Sequence, residues 1–418
     1  MKTSTAVFQY LNATCRGSGQ VVFMNNPITG LLNVAALLWA AYFGGTTIFV
    51  ALGAILGTFV STITAYPLHA DRESIRSGLY GFNGMLVGAA LPTFLDNTPS
   101  MWALLLLATI TVTFVTIALE RLLSTWKIPG LTFPFVLTSW IVLLATYRFT
   151  AAAPAGLPKA QLIAPAVAVD HVWTLGDFLH ASLTSVSQVF FVNNPVSGAI
   201  FLFALAVHSR WCALLAASGA ALAVVTAWLL GADPTLILHG LWGYSAALTA
   251  PAIGCIFLKP SARSLALSAL AVGFTVLVQA ATASVSETVG LPALTFPFVL
   301  TTWIFLLAKP GVESESAEPN ARALVDLQDA DDTANDYRRT RMRLTFSLVH
   351  SMLASCRTNR CSWALIARPM VPKRSRGPCK ESPKPKHRLL FLCTILTRVF
   401  GNKTHAIGSR RLSGYCPK

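Results

Sequence analysis

The stretch Leu-Pro-Ala-Leu-Thr-Phe-Pro-Phe at residues 291–298 decides the fold of this chain, because the chain contains it twice. The first copy, Ile-Pro-Gly-Leu-Thr-Phe-Pro-Phe, occupies residues 128–135, 163 positions earlier. A second element, Gln-x-x-Phe-x-Asn-Asn-Pro, begins at Gln20 and again at Gln188, 168 positions later. Solenoid repeats span only about 20 to 50 residues. The longer spacing predicts two homologous halves of a membrane protein, with the substrate site where the halves meet.

The composition places both halves in a membrane. Charged residues make up 12% of the chain, and mean hydropathy is +0.59. Residues 101–119 and 211–232 are uncharged runs, each long enough to cross a bilayer of about 30 Å as a helix. Other apolar stretches are shorter or broken by Gly and Pro, and such backbone survives at membrane depth only where protein or a water-filled cavity satisfies it. The predicted fold class is an all-α integral membrane protein.

Four segments are predicted. They are a first membrane repeat at 1–149, a small-residue and Pro-rich linker at 150–172, a second membrane repeat at 173–310 and a polar tail at 311–418. Each half is expected to hold about five transmembrane helices plus a re-entrant or short broken helix. An odd number of passes gives the halves inverted orientations, a conclusion that one miscount would reverse. We expect a multi-pass protein of the plasma or bacterial inner membrane, and the charged loops leave its sidedness open.

The basic charge belongs to the tail. Residues 1–309 carry 12 Lys and Arg against 8 Asp and Glu, whereas residues 310–418 carry 20 against 9. The tail lacks the apolar surface needed to offset its ordering entropy, so we expect it to be disordered, and its charge suits anionic lipid headgroups rather than nucleic acid. No motif of either half recurs in the tail. It is therefore interpreted as an appendage, or as sequence outside the true reading frame.

Two repeated threonines are the first candidates for substrate contact. Thr132 and Thr295 each lie between two prolines, which lack an N–H and release nearby backbone carbonyls from their helical partners. A hydroxyl beside freed carbonyls forms a column of acceptors that suits a neutral solute rich in N–H groups. The alternative is a proline kink in which each threonine bonds back to its own helix.

The repeated glutamines point to the same kind of solute. Gln20 and Gln188 are uncharged donors and acceptors, and Phe23 and Phe191 follow three residues later, which on a helix is the same face. A polar amide beside an aromatic plane suits a flat, uncharged molecule. Alternatively, the glutamines bond neighbouring helices and the phenylalanines pack against lipid. The Asn-Asn-Pro that follows each pair ends the helix and is assigned to capping.

A third pair of segments adds aromatic candidates. Residues 78–86 align with residues 240–248, which places Phe82 opposite Tyr244 among small residues that permit close helix approach. Both are candidates to complete an aromatic slot with the two repeated phenylalanines. The alternative is ordinary packing beside glycines.

The sequence lacks the residues that ion coupling, metal binding and enzyme catalysis usually require. Glu120 and Glu287 lie only toward the ends of apolar runs, so a proton- or sodium-coupled relay lacks its carboxylates, and His239 is assigned to capping or packing. The eight cysteines include no Cys-x-x-Cys pair and indicate neither a zinc site nor a disulfide framework. No hydrolase or nucleotide-binding motif occurs. We therefore expect no enzyme activity, no metal and no cofactor.

Taken together, these motifs resemble the urea transporter family, whose hallmark is a duplicated Leu-Pro-x-x-Thr-x-Pro-Phe. The second copy here matches in full, and the first departs only at Ile128. The resemblance implies a homotrimer in the lipid bilayer, each protomer conducting urea passively between inverted repeats. It also implies a filter of aromatic slots beside a ladder of oxygen acceptors. The residues of the implied filter are Gln20, Gln188, Thr132, Thr295, Phe23, Phe82, Phe191 and Tyr244, with Leu86 and Leu248 lining the slots.

Two alternatives stay open. The chain could be a channel for a related small amide or for ammonia, or a membrane sensor that binds urea without conducting it. Tyr244 departs from a simple phenylalanine slot, since its phenol could narrow or polarise the passage.

Overall fold

The computed structural model describes residues 2–164 and 169–308, so the predictions for the tail lie outside the described residues. The first half contains seven α-helices and a 3-10 turn at Ser124–Trp126. The helices are α1 (Lys2–Gln20), α2 (Pro27–Phe43), α3 (Ile48–Ala65), α4 (Arg72–Arg76), α5 (Phe82–Phe94), α6 (Pro99–Leu123) and α7 (Phe133–Thr146).

The second half repeats this order. Its helices are α8 (Leu175–Gln188), α9 (Pro195–His208), α10 (Arg210–Leu229), α11 (Pro234–Leu238), α12 (Tyr244–Pro251), α13 (Ala262–Thr288) and α14 (Phe296–Leu307). A π-helical turn, Ala252–Ile256, continues α12. Within the described ranges, the nearest approach to a sheet is an isolated bridge between Leu95 and Pro154.

Five apolar helices lie in each half among the described residues. Those long and apolar enough to cross a membrane, among the described residues, are α3, α6, α10 and α13. The shorter apolar helices, of 10–17 residues, are α2, α5 and α7 with their counterparts in the second half. The prediction of an all-α membrane protein is confirmed.

The outer surface of these helices is apolar. On α6, Leu107 is 61% exposed and Phe114 is 51% exposed, and on α13 Leu270 is 64% exposed. A water-soluble protein rarely exposes contiguous apolar surface of this kind, because its burial is the main driving force of folding. The exposed faces are therefore surfaces for lipid or for another protein in the membrane.

Small residues set the helix spacing, as the sequence predicts. A β-carbon on Gly57 would overlap the carbonyl oxygen of Gly84, so α3 and α5 approach with backbone in direct contact. The same occurs between Gly53 and Gly88 on the same two helices. This contact fixes the position of α5, which carries Phe82 at its first residue.

The Asn-Asn-Pro elements begin the second helix of each half. Asn26 caps α2 by accepting a hydrogen bond from the Ile28 backbone nitrogen, and Asn194 caps α9 by accepting one from Ser197. Proline follows as the first helical residue, where its missing N–H costs nothing. The capping role predicted for these asparagines is confirmed. The prediction that they end the preceding helix is wrong, because α1 ends at Gln20 and α8 at Gln188.

Candidate functional site

The halves meet along α2 and α9 through a reciprocal pair of hydrogen bonds. The Thr29 hydroxyl donates to the Ala204 carbonyl at 2.9 Å, and the Ser197 hydroxyl donates to the Ala36 carbonyl at 3.0 Å. Each residue of one bond is the counterpart of a residue in the other bond, 168 positions along the chain. Such exchange of partners indicates an approximate two-fold axis between the halves.

Thr132 and Thr295 meet across this junction. Their hydroxyl oxygens are 2.6 Å apart, and each residue is 3% exposed. Neither side chain caps its own helix. The alternative in which each threonine bonds back to its own helix is therefore wrong, because both hydroxyls face the other half.

The prolines act differently from the sequence prediction. Pro134 and Pro297 lie in the first turn of α7 and α14, so they start these helices instead of kinking them, and the predicted release of helical carbonyls is wrong. The loops that precede these helices have an unusual backbone, since Leu131 and Leu294 both have a φ of +50°. Each threonine therefore lies where a loop enters a helix, and not at a kink within one.

Two tryptophans tie these loops to the opposite half. The Trp140 indole donates to the Pro292 carbonyl at 2.9 Å, and the Trp303 indole donates to the Pro129 carbonyl at 2.9 Å. A buried indole N–H normally finds such a partner. These tryptophans were missed by the sequence reasoning, although their spacing of 163 positions matches that of the threonines.

Phe23 does not continue the α1 helix. That helix ends at Gln20, and Phe23 follows in a turn with a φ of +67°, so the predicted shared helical face is wrong. The turn directs the Phe23 ring into the other half, where it lies 5.9 Å from Phe298 and 6.1 Å from Phe257 in edge-on contacts. The turn therefore gives Phe23 its place at the junction.

Phe191, in the second half, makes the equivalent contacts with the first half. Its φ is +61°, and its ring lies 5.7 Å from Phe94 and 6.1 Å from Phe135, both in the first half. Positive φ is uncommon for a bulky residue and costs energy, so its occurrence at both copies marks a constrained position.

The two glutamines are held by loop carbonyls. The Gln20 amide nitrogen donates to the Ser77 carbonyl at 3.0 Å, and the Gln188 amide nitrogen donates to the His239 carbonyl at 2.8 Å. Both carbonyls precede glycines with positive φ, Gly78 and Gly240. With its nitrogen engaged, each side chain retains its amide oxygen as an acceptor for a solute N–H.

Phe82 and Tyr244 occupy equivalent helix starts but differ in chemistry. The Tyr244 hydroxyl donates to the Leu294 carbonyl at 2.6 Å and accepts from the Gln279 amide at 3.1 Å. Phe82 offers no hydroxyl to the equivalent Leu131 carbonyl. No ring contact joins Phe82 to Phe23, or Tyr244 to Phe191, within the described part of the chain. The composition of the slots stays a prediction.

One hydrophobic cluster gathers most of the candidates. Leu86 and Leu248 are almost fully buried in it, 1% and 2% exposed. Phe23, Phe82, Phe191 and Tyr244 belong to the same cluster or pack against it. The structure thus brings together side chains that are up to 225 positions apart in the sequence.

Four further hydroxyls lie on the helices that carry the threonine pair. They are buried and have no hydrogen-bond partner in the described ranges, and they are Thr138, Ser139, Thr301 and Thr302. Buried polar groups are nearly always satisfied by protein or water, so these four hydroxyls are exceptions beside the threonine pair. Thr138 and Ser139 recur as Thr301 and Thr302, 163 positions later, so the repeat itself is a sequence signal for these four hydroxyls.

The Tyr244 hydrogen bonds make a testable contribution to stability. In Tyr244→Phe the Gln279 amide and the Leu294 carbonyl both lose a buried partner, so we expect a loss of about 1 to 3 kcal/mol. Thermal unfolding in detergent measures this loss. The matched control is Tyr147→Phe, whose half-exposed hydroxyl donates to Gly290 and can be replaced by water. Equal shifts in the two variants would contradict the importance of the buried network.

Comparison with known proteins gives a consistent set of relatives. A family model described as Urea transporter matches residues 11–310. Urea transporter 1 of Ovis aries is 33% identical over 314 residues, covering 73% of this chain and 79% of that protein. Urea transporter 1 of Capra hircus and that of Rattus norvegicus are 33% identical over the same shares.

Proposed function

Because this chain belongs to the urea transporter family, we propose that it carries urea passively down its gradient through a pore between its two halves. The pairing of Thr132 with Thr295 at 2.6 Å carries this proposal, because it places two hydroxyls from the two halves at one buried point. The filter comprises this pair, the two glutamines, the four aromatic candidates, and the two leucines Leu86 and Leu248.

The chemistry of the junction suits urea. Urea is planar and neutral, with four N–H donors and one carbonyl acceptor, and each group left without a partner costs about 1 to 3 kcal/mol. As urea passes, the threonine pair exchanges its mutual hydrogen bond for bonds to the solute. The one hydrogen bond between the threonines is replaced by two hydrogen bonds to urea. Urea therefore loses its hydrogen bonds to water at little net cost in free energy.

The edge-on phenylalanines contribute to selectivity against ions. Phe23 and Phe191 present apolar rings that exclude hydrated ions, and the ten filter residues include no carboxylate and no amine. Weak, repeated contacts along such a path permit fast release. A neutral planar amide is thereby favoured over cations and anions.

The family resemblance also supports a homotrimer, with each protomer holding its own pore and the halves in inverted orientation in a cell membrane. The exposed apolar faces supply surfaces for the neighbouring protomers and for lipid. Mass photometry of the full chain in nanodiscs measures the number of protomers directly. A monomer would contradict the proposed trimer. It would not contradict the proposed pore, which lies within one protomer.

Flux through proteoliposomes tests the central proposal. We expect urea permeability at least tenfold above that of protein-free vesicles, unchanged when proton and sodium gradients are collapsed with ionophores. Acetamide and ammonia, measured in parallel, show whether urea is the preferred solute. Urea binding without flux would indicate a sensor and contradict the channel. A requirement for an ion gradient would contradict passive transport.

A further inference from the structure

Two cysteines of the second half are in contact. Cys212 lies near the start of α10, and Cys255 lies in the π-helical turn, with their sulfur atoms 3.0 Å apart. Cys15, the remaining cysteine among the described residues, lies on α1. The sequence spacing gave no sign of this contact, because the two cysteines are 43 positions apart.

The π-helical turn accommodates one additional residue. Twelve positions separate Phe82 from Phe94 in the first half, whereas thirteen separate Tyr244 from Phe257 in the second. Both Phe94 and Phe257 nevertheless contact the turn phenylalanine of the opposite half. A π-helical turn is an α-helix that takes up one inserted residue, and such turns are frequent at functional sites.

The contact is close to the geometry of a bond. A disulfide has a sulfur–sulfur distance of about 2.05 Å, so the two sulfur atoms need to approach by about 1 Å. Cys212 is buried at 3% exposure, while Cys255 is less deeply buried. Cys255 is therefore the sulfur that an oxidant reaches first.

We propose that Cys212 and Cys255 form an oxidisable pair whose disulfide fixes the π-helical turn to α10. A low-molecular-weight disulfide serves as the oxidant. The Cys255 thiolate attacks one of its sulfurs, forming a mixed disulfide and releasing one thiol. The Cys212 thiolate then attacks the Cys255 sulfur, releasing the second thiol. Two protein thiols are oxidised, and the reagent is reduced to two thiols that take up both protons.

The bond would act on the aromatic contacts of the junction. Phe257 directly follows the π-helical turn, and its ring lies 6.1 Å from Phe23. Fixing the turn restricts Phe257, and thereby the place that Phe23 can occupy. This consequence for flux rests on the proposed function, whereas the cross-link itself does not. The equivalent segment of the first half, residues 82–94, contains no cysteine, so only one side of the junction responds.

Peptide mapping tests the site on the full chain in nanodiscs. After treatment with glutathione disulfide and alkylation, we expect a proteolytic fragment that joins Cys212 to Cys255 and that dithiothreitol separates. Cys212→Ser and Cys255→Ser should each eliminate this fragment, while Cys15→Ser retains it. Glutathione adducts or cross-links on other cysteines, without the Cys212–Cys255 fragment, would overturn the proposal.

Flux measurements then test the consequence. Oxidised proteoliposomes should conduct urea at least twofold more slowly than reduced ones, and Cys212→Ser should remove this difference. An unchanged flux despite a complete cross-link would overturn the regulatory role. If the reduced protein conducts no urea, the proposed function fails, and the cross-linked fragment still decides the existence of the pair.

Discussion

Urea flux through the Thr132→Val, Thr295→Val double variant should fall by about 30-fold or more. Valine has the shape of threonine without the hydroxyl, so the variant removes both polar atoms of the 2.6 Å pair. If each lost hydrogen bond costs urea about 1 kcal/mol as it passes the pair, two cost about 2 kcal/mol, which corresponds to roughly 30-fold in rate. Stopped-flow light scattering of proteoliposomes measures the change.

Changing both threonines together keeps the fold intact. A single substitution leaves one buried hydroxyl without a partner, whereas removing both partners with side chains of similar shape is close to neutral. The matched control is Thr109→Val with Thr146→Val. Those hydroxyls are equally buried but donate to carbonyls of their own helices, Leu105 and Leu143.

The control should retain flux within twofold of the unmodified chain. If the Thr132→Val, Thr295→Val protein folds and still conducts urea as fast as the control, the threonine pair does not contact the solute. The filter would then have to lie elsewhere in the junction.

Gly30→Ala should cause the largest loss of stability among single substitutions at the junction. A β-carbon at Gly30 would overlap the carbonyl oxygen of Cys15, which belongs to the backbone of α1 and cannot rotate away. Overpacking of this kind typically costs about 1 to 3 kcal/mol, and a backbone clash lies at the upper end of that range. The midpoint of thermal unfolding in detergent measures the cost.

The repeat supplies an independent copy of this test. Gly198→Ala places its β-carbon against the Leu183 carbonyl, the counterpart of Cys15, so we expect a similar loss. Gly273→Ala is the matched control, because a β-carbon at Gly273 meets no atom within 4 Å in the middle of α13. Alanine there should be neutral or mildly stabilising, since glycine is the weaker helix former. Destabilisation of the Gly273 variant as large as that of Gly30 would contradict the packing argument.

Much of the candidate site could be predicted from the repeats. Because the same residues recur at 163 or 168 positions, a motif in one half identified its counterpart in the other, and Thr132 and Thr295 were paired before any coordinate was known. The capping of α2 and α9 by Asn26 and Asn194 also followed, since it depends only on neighbouring residues.

The conformation of Phe23 could not be predicted in this way. A spacing of three residues favours one face of a helix, but the chain leaves the helix at Gln20 and closes a turn in which the Phe23 nitrogen donates to the Gln20 carbonyl. Positive φ at a phenylalanine is unfavourable locally. Packing of the ring against Phe257 and Phe298 offsets that cost, and both belong to the other half.

The sequence by itself determined the class of protein, the duplication and the chemical types of the residues in the proposed filter. These depend on composition, periodicity and repeated residues, all of which are local properties of the chain. Only the tertiary structure decided which groups meet: one threonine hydroxyl with the other, each Trp with a carbonyl of the opposite half, and Cys212 with Cys255. The physical reason is that these contacts join distant segments across a two-fold junction, where packing of the whole helix assembly sets every distance.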